Sequence, residues 1–255
     1  MPFDYSYAIT TNTDSLNERF DYSIEKNPDV FRIVAIGDSF TYGQYVNTED
    51  NYPERLEDML NDNSLCKASM TFEVINLGVG GYDIEYAVHR FKVRGQKYNP
   101  DLVLWLVKND DFFGPAELVR PKKKQYKKEI SDDKVLLAEF YNKGNFYPWA
   151  GRAVQDVMAE LGEERMLVYN RKALERINGY YKRRLVFITF FGWLNGSDLS
   201  ILQDFIRNRG DTHIYDELSS NYDRFVDGHP TGKGYAQIAG QIFDYLTKNG
   251  FVPCV

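Results

Sequence analysis

Four mostly apolar segments of the sequence are separated by stretches in which apolar residues recur at helical spacing. These segments are residues 31–36, 72–77, 102–107 and 185–191, and a shorter one lies at 213–215. Strands that are hydrophobic on both faces and alternate with helices are typical of a parallel sheet that is covered on both faces. We therefore predict an α/β fold with a central five-stranded parallel sheet.

The segment between the third and fourth predicted strands is longer than a crossover connection needs. It covers residues 111–184 and contains a basic stretch at 120–128, an aromatic stretch at 140–149 and a predicted helix at about 163–182. We predict an inserted cap and not a second domain. A solvated face accounts for the basic stretch, with attraction to an acidic glycan or an anionic membrane surface as the alternative. The aromatic stretch favours packing inside the cap over a wall that binds sugar or acyl groups.

The length and charge of the chain limit its function classes. Its 255 residues fit a single domain, 1–255, with an N-terminal extension at 1–29. The net charge of −6 argues against a nucleic-acid partner, because neutralising phosphates needs a basic surface. No apolar run reaches the roughly 20 residues of a membrane span, and no signal peptide is visible, so we expect a soluble cytoplasmic protein. The two cysteines, Cys66 and Cys254, lack metal-type and redox-type spacing, and the sequence does not test whether they pair.

Polar clusters directly follow three of the predicted strands. They are Gly37-Asp38-Ser39, the glycine-rich run at 76–81, and Asn109-Asp110-Asp111. In open parallel sheets, ligands bind outside the carboxyl ends of the strands. The repeated placement predicts a functional site at this edge of the sheet.

His229 is the strongest candidate among the three histidines for a role in chemistry. His89 lies in a predicted helix and His213 in a short predicted strand, so both are interpreted as structural. His229 follows Asp227 in a polar loop before the last predicted helix, at residues 234–248. An aspartate at this spacing can orient one ring nitrogen and leave the other available as a general base. A simple Asp-Gly turn before a proline is the alternative.

Ser39 lies where the first predicted strand turns into a helix. A serine at a helix N-terminus commonly caps the helix. The same position directs backbone N–H groups toward any group bound beside the hydroxyl, so a nucleophile there can help stabilise the oxyanion that it creates.

Four segments together resemble the motif blocks of the SGNH (GDSL-type) hydrolase family. They are 37–43 (GDSFTYG), 76–82 (NLGVGGY), 108–110 (KND) and 227–230 (DGHP), in the family's order and across about residues 30–250. Each short match is weak alone, but the ordered set is specific. The resemblance implies a flavodoxin-like three-layer α/β/α fold and the hydrolysis of esters of lipids, sugars or small alcohols.

The resemblance also implies a role for individual residues. Ser39 matches the nucleophile and His229 the general base. The oxyanion hole would consist of the backbone N–H groups of Ser39 and Gly81 and the side-chain amide of Asn109. Two positions depart from the family pattern: Val107 replaces a glycine of the third block, and Val226 replaces the usual aspartate three residues before the histidine. We therefore assign the acid that orients His229 to Asp227, with Asp223 as the alternative.

The resemblance thus predicts a serine ester hydrolase that removes a small O-acyl group, for example acetyl from a carbohydrate. Its partner would be a small-molecule or glycan ester, and it would need no cofactor and no metal. Two alternatives remain, an O-acyltransferase with the same dyad and a non-catalytic ligand-binding relative. The oligomeric state is left open.

Competing readings of two other clusters are weaker. A dinucleotide fingerprint at 78–81 fails because Asp83 stands where a further glycine is needed. A metal site built from Asp38, Asp110 and Asp111 is possible on charge alone.

Overall fold

Five parallel strands form one sheet in the order β2-β1-β3-β4-β5. The strands are Val30–Ile36 (β1), Thr71–Asn76 (β2), Leu102–Leu106 (β3), Arg184–Phe190 (β4) and Thr212–Leu218 (β5). The structure, a computed structural model, describes residues 6–62, 66, 70–112, 116–194 and 196–254. The predicted five-stranded parallel sheet is confirmed, although the last strand is longer than the segment 213–215.

Helices connect the strands and cover both faces of the sheet. In chain order they are Ser39–Tyr42 (α1), Tyr52–Asp62 (α2), Ile84–Arg90 (α3), Ala116–Asp132 (α4), Lys134–Asn142 (α5), Pro148–Leu161 (α6), Glu163–Glu175 (α7), Gly196–Arg209 (α8) and Gly232–Lys248 (α9). The predicted helix that contains His89 begins as α3 and continues as a π-helical turn at Phe91–Gly95 and a 3₁₀ turn at Gln96–Tyr98. α8 lies where no helix is predicted from the sequence.

Alternate side chains of the strands supply two separate cores. On β3, Leu102, Leu104 and Leu106 pack toward α2 and α9, whereas Val103 and Trp105 pack toward α3, α7 and α8. Side chains of neighbouring strand residues point to opposite faces, so a strand buried on both faces must be apolar at every position. The three-layer α/β/α fold follows from this pattern.

The long segment between β3 and β4 divides into two parts. α7 packs on α3, and its Ala173 and Leu174 belong to the core beneath the sheet. α4 and α6 pack on each other and enclose a small core of their own, made of Val119, Tyr126, Ile130, Ala153 and Val157. The cap expected at 111–184 stays a prediction, and its residues 113–115 lie outside the described residues.

A disulfide joins Cys66, between α2 and β2, to Cys254 after α9, across 188 positions of sequence. No helix in the described part of the chain is long and apolar enough to cross a membrane. The first five residues of the N-terminal extension predicted at 1–29 lie outside the described residues.

The loops that carry the motifs meet at one edge of the sheet, because β2, β1 and β3 are neighbours and their carboxyl ends point the same way. Gly37 and Gly78 permit this close approach. A Cβ at Gly37 would lie 2.3 Å from Oγ1 of Thr41, and a Cβ at Gly78 would lie 2.2 Å from the backbone nitrogen of Tyr42. The backbone of the second motif block therefore packs directly against α1.

Candidate active site

Ser39 is the first residue of α1, immediately after β1 and Asp38. The helix is capped by Asp38, whose Oδ1 accepts a hydrogen bond from the backbone N–H of Phe40 at 2.9 Å. The Ser39 side chain is therefore not the cap, and its hydroxyl is available for other contacts. The buried Tyr235 of α9 donates its hydroxyl to the Ser39 carbonyl at 3.3 Å and fixes the turn from behind.

The loop before α9 folds back on itself and presents His229. The backbone N–H of Phe225 donates to the His229 carbonyl at 2.8 Å, and Arg224 and Pro230 form an antiparallel bridge. The Tyr222 hydroxyl donates to the carbonyl of Gly228 at 3.0 Å. These bonds hold the histidine in one place although the loop has no regular secondary structure.

Ser39, His229 and Asp227 form a hydrogen-bonded chain. The distance from Oγ of Ser39 to Nε2 of His229 is 2.8 Å, and that from Nδ1 of His229 to Oδ2 of Asp227 is 2.9 Å. The serine and the histidine are 190 positions apart in sequence. Such a chain can take the serine proton, orient the imidazole and stabilise its protonated form.

The Asp227 carboxylate is enclosed, with none of its side chain exposed. Burial by itself raises the pKa of Asp227, but hydrogen bonds from His229 and Tyr147 hold that pKa below its ordinary value. The Tyr147 hydroxyl donates to Oδ2 of Asp227 at 3.0 Å and lies 3.2 Å from the hydroxyl of Tyr45. Asp227 is thus an anion over most of the pH range, as an orienting carboxylate must be.

Asn109 and Gly81, the other residues expected at the oxyanion hole, lie on the two adjacent motif loops. Oδ1 of Asn109 accepts the backbone N–H of Asp110 at 2.9 Å, which leaves the amide nitrogen as the group that can donate outward. Gly81 has a positive φ of 74°. Its neighbour Gly80 approaches Ser39, since a Cβ there would lie 4.0 Å from the Cβ of Ser39.

A buried lysine lies among the carboxylates that were considered for a metal. One carboxylate oxygen each from Asp38, Asp110 and Asp111 lies within 4.8 Å of the others. Nζ of Lys108 is 2.8 Å from Asp38 Oδ2 and 2.9 Å from Asp110 Oδ1. Burial lowers the pKa of the Lys108 ammonium, but the three carboxylates outweigh it and hold that pKa well above its ordinary value. The lysine ammonium therefore already acts as the cation of this cluster, and a metal ion would have to compete with it.

The remaining candidates from the sequence lie apart from this chain of contacts. Asp223 is exposed and accepts a hydrogen bond from the Thr231 hydroxyl. His89 is exposed on α3, and the ring of His213 packs 4.7 Å from that of Phe251. The basic stretch forms part of α4, where the guanidinium of Arg120 lies 3.8 Å from the ring centre of Tyr86.

Two residues beside this site, Lys108 and Tyr147, have no role of their own in the sequence-based prediction. Lys108 belongs to the third motif block, so its position beside Asn109 indicated that it lies near the site. Its pairing with Asp38 depends on the adjacency of β1 and β3 and is not visible in the sequence. Tyr147 lies 80 positions before Asp227 in the sequence, and the two residues meet because of the way α4–α6 fold. No local pattern indicates that contact.

Comparisons with known proteins agree with this fold and motif order. The profile of a family described as GDSL-like Lipase/Acylhydrolase matches residues 33–242. No curated protein matches the chain in sequence.

Several solved structures share its fold. The psychrotrophic esterase EstA from Pseudoalteromonas sp., in a structure inhibited by monoethylphosphonate, is 14% identical, with a TM-score of 0.52; the match covers 86% of this chain and 98% of that one. A two-domain esterase active on acetylated mannans, co-crystallised with mannopentaose, is 14% identical with a TM-score of 0.53, and the match covers 86% of this chain and 50% of that one. At these identities the likeness shows the fold alone.

Proposed function

The chain belongs to the GDSL-like lipase/acylhydrolase family and is an ester hydrolase, and from this we propose that it removes a small O-acyl group through an acyl-enzyme on Ser39. The observation that carries the proposal is the continuous chain from Ser39 Oγ to His229 Nε2, at 2.8 Å, and from His229 Nδ1 to Asp227, at 2.9 Å. A hydroxyl becomes an effective nucleophile when a positioned base takes its proton.

In the first half of the reaction, Ser39 Oγ attacks the ester carbonyl carbon while His229 Nε2 takes the hydroxyl proton. The carbonyl π electrons move onto oxygen, and this oxyanion accepts hydrogen bonds from the N–H groups of Ser39 and Gly81 and from the Asn109 amide. His229 then returns its proton to the departing alcohol as the C–O bond breaks. Water repeats the sequence in the second half and releases the acid and free Ser39.

We propose a carbohydrate ester, for example an acetylated glycan, as the substrate class. Two aromatic rings pack against His229: the ring centre of Tyr45 lies 5.3 Å from that of His229, and that of Phe40 lies 5.2 Å from it. Tyr147 and Trp149 lie next to each other, with ring centres 6.0 Å apart. Such side chains combine an apolar face with hydrogen-bonding tips, which suits a sugar. For Tyr147 we therefore favour the sugar-binding alternative over packing inside the cap.

Two alternatives use the same fold. An O-acyltransferase would pass the acyl group to an alcohol and not to water. A non-catalytic relative would keep the fold without an activated serine, and the aligned hydrogen bonds of Ser39 and His229 speak against it.

The proposal is tested with p-nitrophenyl esters of increasing chain length and with an acetylated glycan, each with and without an added alcohol acceptor. We expect acetate to be released and short esters to be preferred. Transfer of most acyl groups to the added alcohol would instead favour the transferase. Equal rates for wild type and Ser39→Ala would contradict both enzymatic readings.

The cellular location expected from the sequence, the cytoplasm, stays a prediction. The disulfide between Cys66 and Cys254 speaks against it, because disulfides persist mainly in oxidising compartments.

A further inference from the structure

Lys108 is a buried cation beside the nucleophile that the proposed reaction does not use. Only 7% of the residue is exposed. Its ammonium contacts Asp38, on the turn that carries Ser39, at 2.8 Å, and lies 4.8 Å from the ring centre of Phe40, the next residue of α1. A buried ammonium is costly unless it is paired, so this placement calls for an explanation.

Asp38 has a carboxylate oxygen within reach of the nucleophile. Its Oδ1 is engaged by the Phe40 N–H that it caps, whereas Oδ2 lies 3.4 Å from Oγ of Ser39. Oδ2 is therefore a second acceptor for the serine proton, in competition with His229 Nε2 at 2.8 Å. Lys108 Nζ donates to that same Oδ2.

The other acidic groups around Lys108 do not take the place of Asp38. Asp110 is exposed, with 55% of its side chain accessible to solvent. Asp111 is buried and accepts the Lys108 backbone N–H at 2.8 Å. Burial, together with the Asp38 and Asp110 charges, raises the pKa of Asp111 well above its ordinary value. Asp38 is thus the buried carboxylate that the Lys108 ammonium itself contacts.

We propose that Lys108 is a positioning residue for the nucleophile: by engaging Asp38 Oδ2, it directs the Ser39 hydroxyl to His229 and cancels a negative charge beside the oxyanion. This inference rests on the proposed role of Ser39. Without the ammonium, Asp38 would both attract the serine proton and repel the charge that develops as the Oγ–carbon bond forms. Both effects raise the barrier to acylation.

The test compares Lys108→Met, Asp38→Asn and the double variant. Methionine keeps an unbranched stem without charge, and asparagine keeps an oxygen that can cap α1. With p-nitrophenyl acetate, we expect Lys108→Met to lower kcat roughly 100-fold while KM stays within about threefold. The double variant removes both charges, and we expect its kcat to return to within about tenfold of wild type.

Fluorophosphonate labelling supplies a readout that a purely structural role would not move. We expect folded Lys108→Met to be labelled completely but slowly, whereas a folding defect would lower the labelled fraction. A folded Lys108→Met with wild-type kcat, or a folded double variant as slow as Lys108→Met, would overturn the inference. If Lys108→Met does not fold, the double variant alone tests the inference, because the inference requires the double variant to be active.

Ser39→Ala separates this inference from the proposed function. If Ser39→Ala keeps full activity, the proposed function fails whatever Lys108 does. If Ser39→Ala is inactive and Lys108→Met behaves as wild type, only the present inference fails.

Discussion

At the scale of single residues, the sequence leaves two candidates for the acid that orients His229. The family spacing is interrupted by Val226, so Asp227 and Asp223 were both candidates. Asp227 bonds to Nδ1 of His229 at 2.9 Å, whereas Asp223 contacts Thr231. Motif spacing alone could not decide this, because the direction of each side chain depends on how residues 224–230 fold back on themselves.

Replacement of this acid tests the assignment. We expect Asp227→Asn to lower kcat by about 10³- to 10⁴-fold, because the amide carries no negative charge to stabilise the imidazolium and its NH2 group can donate to Nδ1, which holds the wrong tautomer. Asp223→Asn is the matched control and is expected to stay within about threefold of wild type. A larger loss in Asp223→Asn than in Asp227→Asn, measured as kcat on p-nitrophenyl acetate, would reverse the assignment.

Asn109 tests the oxyanion hole. Its Oδ1 accepts the Asp110 N–H, which leaves the amide nitrogen as the proposed donor to the oxyanion. We expect Asn109→Ala to lower kcat about 10²- to 10³-fold with little change in KM, because the hydrogen bond strengthens in the transition state. A change confined to KM in steady-state kinetics would show that Asn109 binds substrate and does not stabilise the oxyanion.

At the scale of elements, the strands and the helix at the end of the insertion, α7, were predictable from sequence, whereas α4–α6 were not. An apolar run such as 102–107 specifies a strand buried on both faces through its own sequence. α4–α6 instead bury a small core against one another, so their arrangement depends on contacts between distant segments. α8 has Ile201, Leu202 and Phe205 buried at helical spacing, but three residues are a weak signal.

The inserted helices also reach Asp227, the proposed orienting acid, through Tyr147 at the start of α6. We expect Tyr147→Phe to lower kcat/KM about tenfold, because a hydrogen bond to a charged group contributes about 1.5–3 kcal/mol, which partial exposure reduces. Tyr141→Phe, at a ring that stacks on Phe146, is the control within the same insertion. Equal kcat/KM values for the two variants would show that α4–α6 do not contribute to the reaction through Tyr147.

At the scale of the whole molecule, buried carboxyl groups tie the N-terminal segment to the sheet. Glu18 accepts hydrogen bonds from the Asn76 N–H and from the Tyr22 hydroxyl. Glu57 of α2 accepts a hydrogen bond from the same hydroxyl at 2.9 Å and one from the Val74 N–H at 2.6 Å. Burial raises the pKa of Glu57 to about 7, and burial together with Glu54 raises that of Glu18 well above its ordinary value.

These raised pKa values make the free energy of unfolding depend on pH. Glu57 holds its proton in the folded state but not in the unfolded chain between about pH 4.5 and 7, so its contribution to stability is complete below that range and is lost as pH rises through it. For Glu57 the loss is on the order of 3 kcal/mol. We expect Glu57→Gln to flatten this part of the profile in urea unfolding at pH 5 and pH 8. An unchanged difference between the two pH values would contradict the account.

The disulfide is predicted to stabilise the molecule without affecting the chemistry. It joins residues beside the start of β2 and the end of α9, at the end of the sheet opposite the loops that carry the motifs. Closing a loop of 188 positions limits the unfolded chain and is worth up to about 5 kcal/mol. We expect Cys66→Ser/Cys254→Ser to lower Tm by several degrees, up to about 10 °C, with kcat unchanged at 25 °C. Lost kcat in folded protein would contradict this separation.

The most direct test of the central claim, an activated Ser39, is intact mass after treatment with a fluorophosphonate. Wild type, Ser39→Ala and His229→Ala would be treated in parallel after circular dichroism has shown that each is folded. The account predicts one adduct on wild type, none on Ser39→Ala and strongly slowed labelling of His229→Ala. No adduct on folded wild type, or the same adduct on Ser39→Ala, would contradict it.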